Sequence, residues 1–207
     1  MDNFRLKLVQ ENKPVKRTED VLLITGDGKL LLEDIREFLD WNISHDVMSI
    51  GKSIKAYPGK VQHYADVDAE EGKWVAENLK EIYPDRINGQ IIRHTLGEVP
   101  WFDAGWDLEG AYWPSEDIMW HGSTALFAVL VGLEMGYKRI VLAGCPLDSN
   151  GHWCFPQEKT GPRWTGETYQ VWFEFTKDPR RFQVRSMSGY TRILLSRPDK
   201  GYFHGFY

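Results

Sequence analysis

The stretch that decides the fold is residues 119–148, MWHGSTALFAVLVGLEMGYKRIVLAGCPLD. A short polar turn at residues 121–124 precedes an apolar run that ends at Gly136, and this pattern predicts a buried helix. The basic pair Lys138-Arg139 leads into a strand predicted over residues 140–143. Helix amino ends and strand carboxyl ends are where α/β proteins bind ligands. The stretch therefore predicts an α/β fold and one part of its ligand site.

The bulk composition excludes several classes of protein. The chain has 207 residues and a net charge of −5, so it can bury a sizeable core and has no basic stripe for nucleic acid. Two cysteines, Cys145 and Cys154, make no disulfide framework and favour a reducing compartment. No apolar run reaches the roughly 20 residues of a membrane helix, and no signal-peptide core is present. We expect a cytoplasmic protein with no membrane span, either a monomer or a homo-oligomer.

Outward from the central stretch, strands and helices are predicted to alternate. Residues 1–20 are polar and predict an irregular lead-in, and residues 21–207 predict a single domain. The first helix follows a strand at residues 21–25 and places Leu31, Ile35, Phe38 and Leu39 on one face. Further strands are predicted at residues 46–50, 61–65, 90–94 and 182–187, and further helices at residues 72–83, after Thr165 and from Thr191. In the helix at residues 72–83 the side chains expected to face inward are Trp74, Val75, Leu79 and Ile82. In the helix after Thr165 the side chains expected to share one face are Tyr169, Trp172, Phe173 and Thr176.

About six strands alternating with helices predict a Rossmann-like α/β fold. In such a fold a mostly parallel sheet carries helices on both faces, and ligands bind at the carboxyl ends of the strands. Residues 97–118 and 149–164 break the periodicity and predict two irregular loop insertions at that edge.

The first strand ends in Gly26-Asp27-Gly28, which has two interpretations. The two glycines can form a tight turn, or they can let backbone amides approach a phosphate or ribose. The spacing matches neither a dinucleotide fingerprint nor a Walker phosphate loop.

Asp66 and Asp68 flank one residue at the end of another predicted strand. Two carboxylates at this spacing suit a divalent cation such as Mg²⁺ or Mn²⁺. The pattern resembles the Asp-x-Asp motif by which many glycosyltransferases hold this cation on a nucleotide diphosphate. Hydrogen bonding to a ligand hydroxyl and a solvated loop end are the alternatives.

Gly122, Ser123 and Thr124 lie where the central helix begins. The amino end of a helix carries about half a positive charge and exposed N–H groups. The segment therefore predicts ligand contact, helix capping, or both. Several tryptophans lie outside periodic segments and predict either packing or a cleft that stacks on bases or sugars; they are Trp101, Trp106, Trp113, Trp120, Trp153 and Trp164.

Residues after the predicted 140–143 strand carry candidate catalytic groups. Cys145, His152 and Cys154 have zinc-ligand chemistry but lack a fourth member. His152 is instead a candidate general base near neutral pH. Arg163 is a candidate partner for a carboxylate or phosphate, with a surface ion pair as the alternative.

Taken in order, these segments give the chain a resemblance to a known superfamily. The glycine–polar–glycine turn, the later Ser/Thr–small turn and the segment Gly-Tyr-Lys-Arg-Ile-Val-Leu-Ala-Gly resemble bacterial sialyltransferases of glycosyltransferase family 42. They are similar also to the motility-associated glycosyltransferases and the archaeal-type hydroxymethyl-dihydropterin pyrophosphokinases. The resemblance covers roughly residues 20–150 and the terminal strand–helix unit.

The resemblance implies a nucleotide site and assigns its residues. The nucleotide would contact Gly26, Asp27, Gly28, Gly51, Asp66, Gly122, Ser123, Thr124 and Gly144. The segment from Gly144 to Asp148 would border the donor sugar or phosphates. The chain departs from the family pattern in two places. First, Ala125 stands where the family has a glycine. Second, the family's histidine base would fall after the fifth strand, but no histidine lies between Phe155 and Phe203, and His152 is the nearest one.

These observations predict a transferase that uses a nucleotide or nucleotide-sugar of the CMP type, with a small-molecule donor and an unknown acceptor. The candidate catalytic residues are His152, Asp148 and Arg163, and a carboxylate from residues 101–117 is an alternative base. A second hypothesis is pyrophosphoryl transfer to a pterin-like acceptor, with Mg²⁺ on Asp66 and Asp68. A third is a non-catalytic nucleotide-binding module.

Overall fold

The computed structural model describes residues 4–82, 91–109, 123–148, 150–154 and 166–204, and these form eight strands and six α-helices. The strands are β1 (Arg5–Glu11), β2 (Val21–Thr25), β3 (Asp46–Ile50), β4 (His63–Ala65), β5 (Ile92–Leu96), β6 (Ala104–Glu109), β7 (Arg139–Ala143) and β8 (Val184–Ser186). The helices are α1 (Leu31–Asp40), α2 (Ala69–Ile82), α3 (Thr124–Glu134), α4 (Gly166–Phe175), α5 (Gly189–Leu195) and α6 (Lys200–His204). Short 3-10 helices occupy Gly51–Lys55 and Pro179–Gln183.

The strands form one open sheet in the order β1-β6-β5-β4-β3-β2-β7-β8. Every neighbouring pair is parallel except β1 and β6, which are antiparallel. From β2 the chain adds strands on one side as far as β6 and then crosses to the other side of β2 to form β7. The strand order therefore reverses between β2 and β7. The predicted α/β fold with a mostly parallel sheet is confirmed.

Two hydrophobic clusters cover the two faces of the sheet. In β2, Leu22 and Ile24 belong to one cluster and Leu23 to the other, as the alternation of side chains along a strand requires. The first cluster contains the apolar residues of α3 and the buried residues of α4, whereas the second contains those of α1 and α2. Because α3 is buried on all sides from Leu126 to Leu133, its sequence is apolar without a polar face.

The direction of α3 follows from its carboxyl end. Gly136 has a φ of 81° and turns the chain there, and the hydroxyl of Tyr137 then donates to Asp46, the first residue of β3, at 2.7 Å. The carboxyl end of α3 thus lies at the edge where the parallel strands begin. Its amino end, at Ser123, lies at the opposite edge, where those strands end.

Two segments that were predicted to be irregular contain strands instead. Arg5–Glu11 forms a strand, so the irregular lead-in predicted for residues 1–20 is wrong there; β1 pairs with β6 and buries Phe4 and Leu6. The irregular insertion predicted at residues 97–118 contains β6, whose sequence AGWDLE has a glycine and an acid that obscured the strand pattern. The sheet therefore has eight strands where about six were predicted.

Two aromatic side chains depart from the predicted helix faces. Trp74, predicted to face inward, is 43% exposed, and Phe173, predicted to share a face with Trp172, is 52% exposed. The neighbouring Val75 and Trp172 fill the core. The side chains of Leu79 and Ile82 lie outside the described residues. None of the helices in the described part of the chain is long and apolar enough to cross a membrane.

A line of buried polar groups ties together the strands from β3 to β6. The Nε1 of Trp106 lies 3.1 Å from Nδ1 of His94, and Nε2 of His94 lies 3.2 Å from Nδ1 of His63. The Nε2 of His63 lies 3.2 Å from the hydroxyl of Tyr137, which donates to Asp46. An indole nitrogen only donates and a carboxylate only accepts, so each histidine carries its proton on Nε2. In each of the four hydrogen bonds the donor is therefore on the side of Trp106 and the acceptor on the side of Asp46.

Candidate functional site

A cleft lies at the point where the strand order reverses, beside the carboxyl ends of β2 and β7. Reversals of this kind leave a crevice because the connections on either side run to opposite faces of the sheet. Lys29, Leu30, Pro146, Asp148 and Asn150 line a volume of about 240 Å³ there. Pockets for drug-sized ligands measure about 300–1,000 Å³, so this volume suits a small ligand or one part of a larger ligand.

Gly26 and Gly28 are required by close packing of the turn after β2 against the segment after β7. A Cβ on Gly26 would lie 2.5 Å from Sγ of Cys145, and one on Gly28 would lie 2.3 Å from Cδ of Pro146. Their N–H groups donate to the carbonyls of Ala143 at 2.9 Å and Gly144 at 2.7 Å. The tight-turn interpretation of these glycines is thus what the contacts support, and their amides are engaged within the protein.

Asp27 organises the loops around this turn. Its carboxylate accepts hydrogen bonds from the backbone N–H of Lys52 at 3.0 Å and from Nε1 of Trp153 at 3.2 Å. Its carbonyl accepts from the N–H of Trp153 at 3.1 Å, and Gly28 pairs with His152 as an antiparallel bridge. The first glycine turn and His152, which lie far apart in sequence, are therefore neighbours.

Gly144 ends β7 with a φ of 64°, a conformation that favours glycine. A Cβ there would lie 2.6 Å from the carbonyl oxygen of Gly26. Three residues later Leu147 also has a positive φ, 53°, although its side chain is bulky. Such a conformation costs about 1–3 kcal/mol and is concentrated at functional sites. The carbonyl of Leu147 is held by the hydroxyl of Tyr169 at 2.8 Å.

Asp34 is a buried carboxylate of this site that the sequence analysis missed. Its Oδ2 accepts from the N–H of Gly144 at 2.8 Å and from the hydroxyl of Ser188 at 2.5 Å. Burial raises the pKa of Asp34, and these two hydrogen bonds partly offset the rise. It occupies a polar position on the inner face of α1, between the apolar Leu31 and Ile35, and this was the available signal.

Two further predicted residues, Gly51 and Asp66, lie at the carboxyl ends of β3 and β4. Gly51 begins a 3-10 helix with a φ of 55°, and its neighbour Lys52 contacts Asp27. Asp66 is buried; its two carboxylate oxygens accept from the hydroxyl of Tyr64 at 2.6 Å and from the N–H of Asp68 at 2.9 Å. Asp68 accepts in turn from the N–H of Glu70 at 3.0 Å. These contacts lie at the beginning of α2, which starts at Ala69.

Metal binding by Asp66 and Asp68 stays a prediction. In the described residues no group of three or more histidine, cysteine, aspartate or glutamate side chains could hold a metal ion. Cys145 is buried, and burial together with the carboxylates of Asp34 and Asp27 raises the pKa of its thiol. Burial and Asp27 also raise the pKa of Cys154.

Ser123 caps α3, as one of the two interpretations predicted. Its hydroxyl accepts from the N–H of Leu126 at 3.4 Å, and only 8% of the residue is exposed. Thr124 is half-buried next to it. Both lie at the same edge of the sheet as the cleft. Gly122 and Arg163 lie outside the described residues, so their predicted roles stay predictions.

The tryptophans of the sequence analysis differ in their roles. Trp106 is buried in β6, whereas Trp153 is half-buried at the site through its contacts with Asp27. Trp101 lies under the ammonium of Lys73, 5.3 Å from the ring centre. Trp113, Trp120 and Trp164 are outside the described part of the chain.

Comparison with known proteins adds a weak similarity. No family model matches the chain. The chain is similar to an isoleucine–tRNA ligase of Levilactobacillus brevis, with 25% identity over 184 residues that cover 73% of this chain and 19% of the ligase. The chain thus spans less than a fifth of the length of this relative. A similarity of this extent assigns neither a family nor a function.

Proposed function

We propose that this chain is a transferase that binds a nucleotide or nucleotide-sugar of the CMP type in the cleft between β2 and β7. The observation that carries the proposal is the position of this cleft. It lies at the reversal of strand order in a parallel sheet, where nucleotides bind in folds of this class.

Lys29 and the amino end of α1 support binding of a phosphate at the cleft, which Asp148 also lines. Lys29 is exposed there, directly before the amino end of α1. That end begins at Leu31 and has no side-chain cap. A lysine ammonium and the positive end of a helix dipole both attract a phosphate. Since the amides of Gly26 and Gly28 are engaged elsewhere, Lys29 and α1 take over the role first expected of the glycine turn.

Transfer also requires removal of a proton from the acceptor. His152 is half-buried beside Gly28 and is the candidate base of this proposal. Donors aimed at the departing phosphate would stabilise its charge, and this electrostatic effect is usually the largest contribution to catalysis. Arg163 remains a candidate for the same task.

The pyrophosphoryl-transfer hypothesis has less support. It needs the carboxylates of Asp66 and Asp68 for Mg²⁺, but the protein already donates a hydrogen bond to each oxygen of Asp66. The hypothesis of a non-catalytic module also places a nucleotide in this cleft. It differs from our proposal only because no group is transferred.

Thermal unfolding with CMP, UDP, GDP and ATP, each with and without Mg²⁺, tests the proposal. We expect CMP to raise the Tm without Mg²⁺, on the order of 5 °C at 100 times its Kd. Lys29→Gln should reduce this rise, whereas Lys200→Gln, an exposed lysine of α6, should not. A rise only with ATP and Mg²⁺ would favour pyrophosphoryl transfer, and no rise with any nucleotide would refute the proposal.

A further inference from the structure

Four consecutive carbonyl groups of the segment after β7 are held by other parts of the protein. They belong to Gly144, Cys145, Pro146 and Leu147, and their donors are, in the same order, the N–H of Gly28, the hydroxyl of Thr191, the N–H of Tyr190 and the hydroxyl of Tyr169. These donors come from the turn after β2, from α5 and from α4. The backbone of the segment is therefore fixed by three separate parts of the fold.

The last two of these carbonyls point to the same side of the segment. The N–H of Tyr190 donates to Pro146 at 2.7 Å, and the hydroxyl of Tyr169 donates to Leu147 at 2.8 Å. The rings of Tyr169 and Tyr190 meet at 5.1 Å between centres, so both donors lie where α4 and α5 meet. The N–H of a trans peptide points away from its carbonyl. The N–H groups of Leu147 and Asp148, which belong to these two peptides, therefore both face away from α4 and α5; we call them the amide pair.

The amide pair has no acceptor within the part of the chain that the structure describes. Leu147 has a φ of 53°, in the left-handed region. Successive N–H groups around a residue in this conformation form a concave site for anions. Asp148 and Asn150 line the cleft, so the pair lies at its wall. An oxyanion there would satisfy both groups, and this gives a bulky residue a reason to keep a strained backbone.

The charges around the amide pair favour an anion over a cation. Lys29 is exposed in the same cleft and forms no ion pair among the described residues. The carboxylate of Asp148 opposes it, although its Oδ1 already accepts from the N–H of Asn150 at 3.0 Å. A cation would meet one carboxylate, but also an ammonium and two N–H groups, none of which can accept a hydrogen bond. A phosphoryl group has several oxygens and can accept from the pair and from Lys29 together.

We propose that the N–H groups of Leu147 and Asp148 bind one oxygen of a phosphoryl group while Lys29 binds another, and that Tyr169 is the positioning residue of this site. The proposal rests on the function proposed above, since it assigns the atoms that hold the donor phosphate in the same cleft. The hydroxyl of Tyr169 fixes the peptide between Leu147 and Asp148 in the orientation that turns its N–H away from α4.

Titration with inorganic phosphate tests the site without a nucleotide. Amide NMR spectra of the isotope-labelled protein report on each N–H group separately. We expect the amide protons of Leu147 and Asp148 to move downfield together, because each gains an acceptor with a negative charge. Sodium chloride at the same ionic strength should move neither, since it only screens charges.

Two tyrosine variants test the role of Tyr169. Tyr169→Phe removes only the hydroxyl and should weaken phosphate binding about tenfold, with loss of the downfield shift at Asp148. Tyr190→Phe is the matched control, because the hydroxyl of Tyr190 forms no hydrogen bond within the described residues, and it should leave binding unchanged. A purely structural role of Tyr169 would lower the Tm and leave phosphate binding by the folded protein intact.

Charge variants test the sign of the ligand. Lys29→Gln should weaken phosphate binding, because it removes the cation. Asp148→Asn should strengthen it, because the opposing charge is lost while the amide oxygen can still accept from the N–H of Asn150. Weaker binding of phosphate in Asp148→Asn would overturn the proposal.

CMP in place of phosphate separates the two proposals. If phosphate shifts both amides and CMP neither shifts them nor raises the Tm, the nucleotide donor is refuted and the anion site stands. A rise in Tm with CMP that leaves both amides unshifted would refute the amide pair and leave the nucleotide cleft. Unchanged phosphate binding in Tyr169→Phe would refute the positioning role.

Discussion

Gly28 shows how closely the two halves of the site are packed. The segment after β7 covers it on the side where any other residue would place a Cβ, and its N–H group bonds to the carbonyl of Gly144. A side chain at this position would have to displace Pro146 or backbone, and neither is the flexible end of a side chain. The glycine is thus explained by the protein's own packing, before any ligand is considered.

Gly28→Ala should destabilise the protein. The new methyl group would lie 2.7 Å from the carbonyl oxygen of Gly144 as well as against Pro146, and overpacking of this kind costs about 1–3 kcal/mol. Urea unfolding followed by tryptophan fluorescence measures the change. Gly201→Ala is the control, because a Cβ there has its nearest neighbour at 3.2 Å and α6 gains helix propensity. Equal stability of the two variants would contradict the packing argument.

Asp34 and Asp27 join segments that are distant in sequence. Asp34 holds the amide of Gly144 and the hydroxyl of Ser188, so one carboxylate fixes the ends of both β7 and β8. Asp27 similarly connects the turn after β2 to Lys52 and Trp153. At the residue scale, these two carboxylates connect the segments that surround the cleft.

At the scale of elements, the central unit was predicted best. The apolar run before Gly136 became α3, and the following β-branched run became β7, since both are long, regular and buried. β6 was missed because its burial depends on β1 and β5, which flank it in the sheet. The strand β1 was not predicted, because within the described residues it pairs with β6 alone and its exposure alternates weakly.

The histidines that link β4 and β5 make the fold sensitive to acid. Protonation of Nδ1 of His94 would place an N–H against the indole N–H of Trp106. Protonation of Nδ1 of His63 would place an N–H against the N–H at Nε2 of His94. Burial lowers the pKa of His63 to about 4, with Asp46 opposing the shift. Burial and the neighbouring His63 lower the pKa of His94 well below its usual value. Both rings are therefore neutral in the folded protein.

The free energy of unfolding should fall as the pH falls from about 6.5 to about 4. In that range the unfolded chain binds protons on His63 and His94 that the folded protein does not bind, whereas above pH 6.5 neither state does. For His63 alone the loss is on the order of 3 kcal/mol at pH 4. Urea unfolding at pH 7.5, 6, 5 and 4 measures it.

The acidic groups around the histidines act at lower pH. Burial alone would raise the pKa of Asp46, but hydrogen bonds from Thr18 and Tyr137 bring it below its usual value. Its contribution to stability is therefore lost below about pH 4. His63→Gln with His94→Gln should flatten the change between pH 6.5 and 4, and His204→Gln, at an exposed position, should keep it. An unchanged slope in the double variant would show that other groups cause the acid sensitivity.

For the molecule as a whole, the strand order sets both the site and the distribution of stability. β2 lies between β3 and β7, and all five of its residues are buried. Among the described residues β1 pairs with β6 alone, and its exposure alternates weakly. The cleft thus lies at the carboxyl ends of β2 and β7, two strands that are buried almost throughout.

Hydrogen exchange should follow this order. We expect the backbone amides of β2 and β7 to exchange on the order of 100-fold more slowly than those of β1, because they open only with the global unfolding of the sheet. Mass spectrometry of peptides from the labelled protein measures the difference. Equal protection of β1 would mean that the antiparallel edge unfolds together with the centre.

The sequence by itself determined the α/β class, the alternation of buried elements around α3 and β7, and the glycine turn after β2. These depend on periodicity and on turn residues, which act over a few neighbouring positions. Only the tertiary structure decided that β7 crosses to the far side of β2, that Asp34 holds Gly144, that Pro146 covers Gly28, and that His94 lies between His63 and Trp106. The physical reason is that each of these contacts joins residues far apart in the chain, and no local pattern encodes which distant partner a buried group will find.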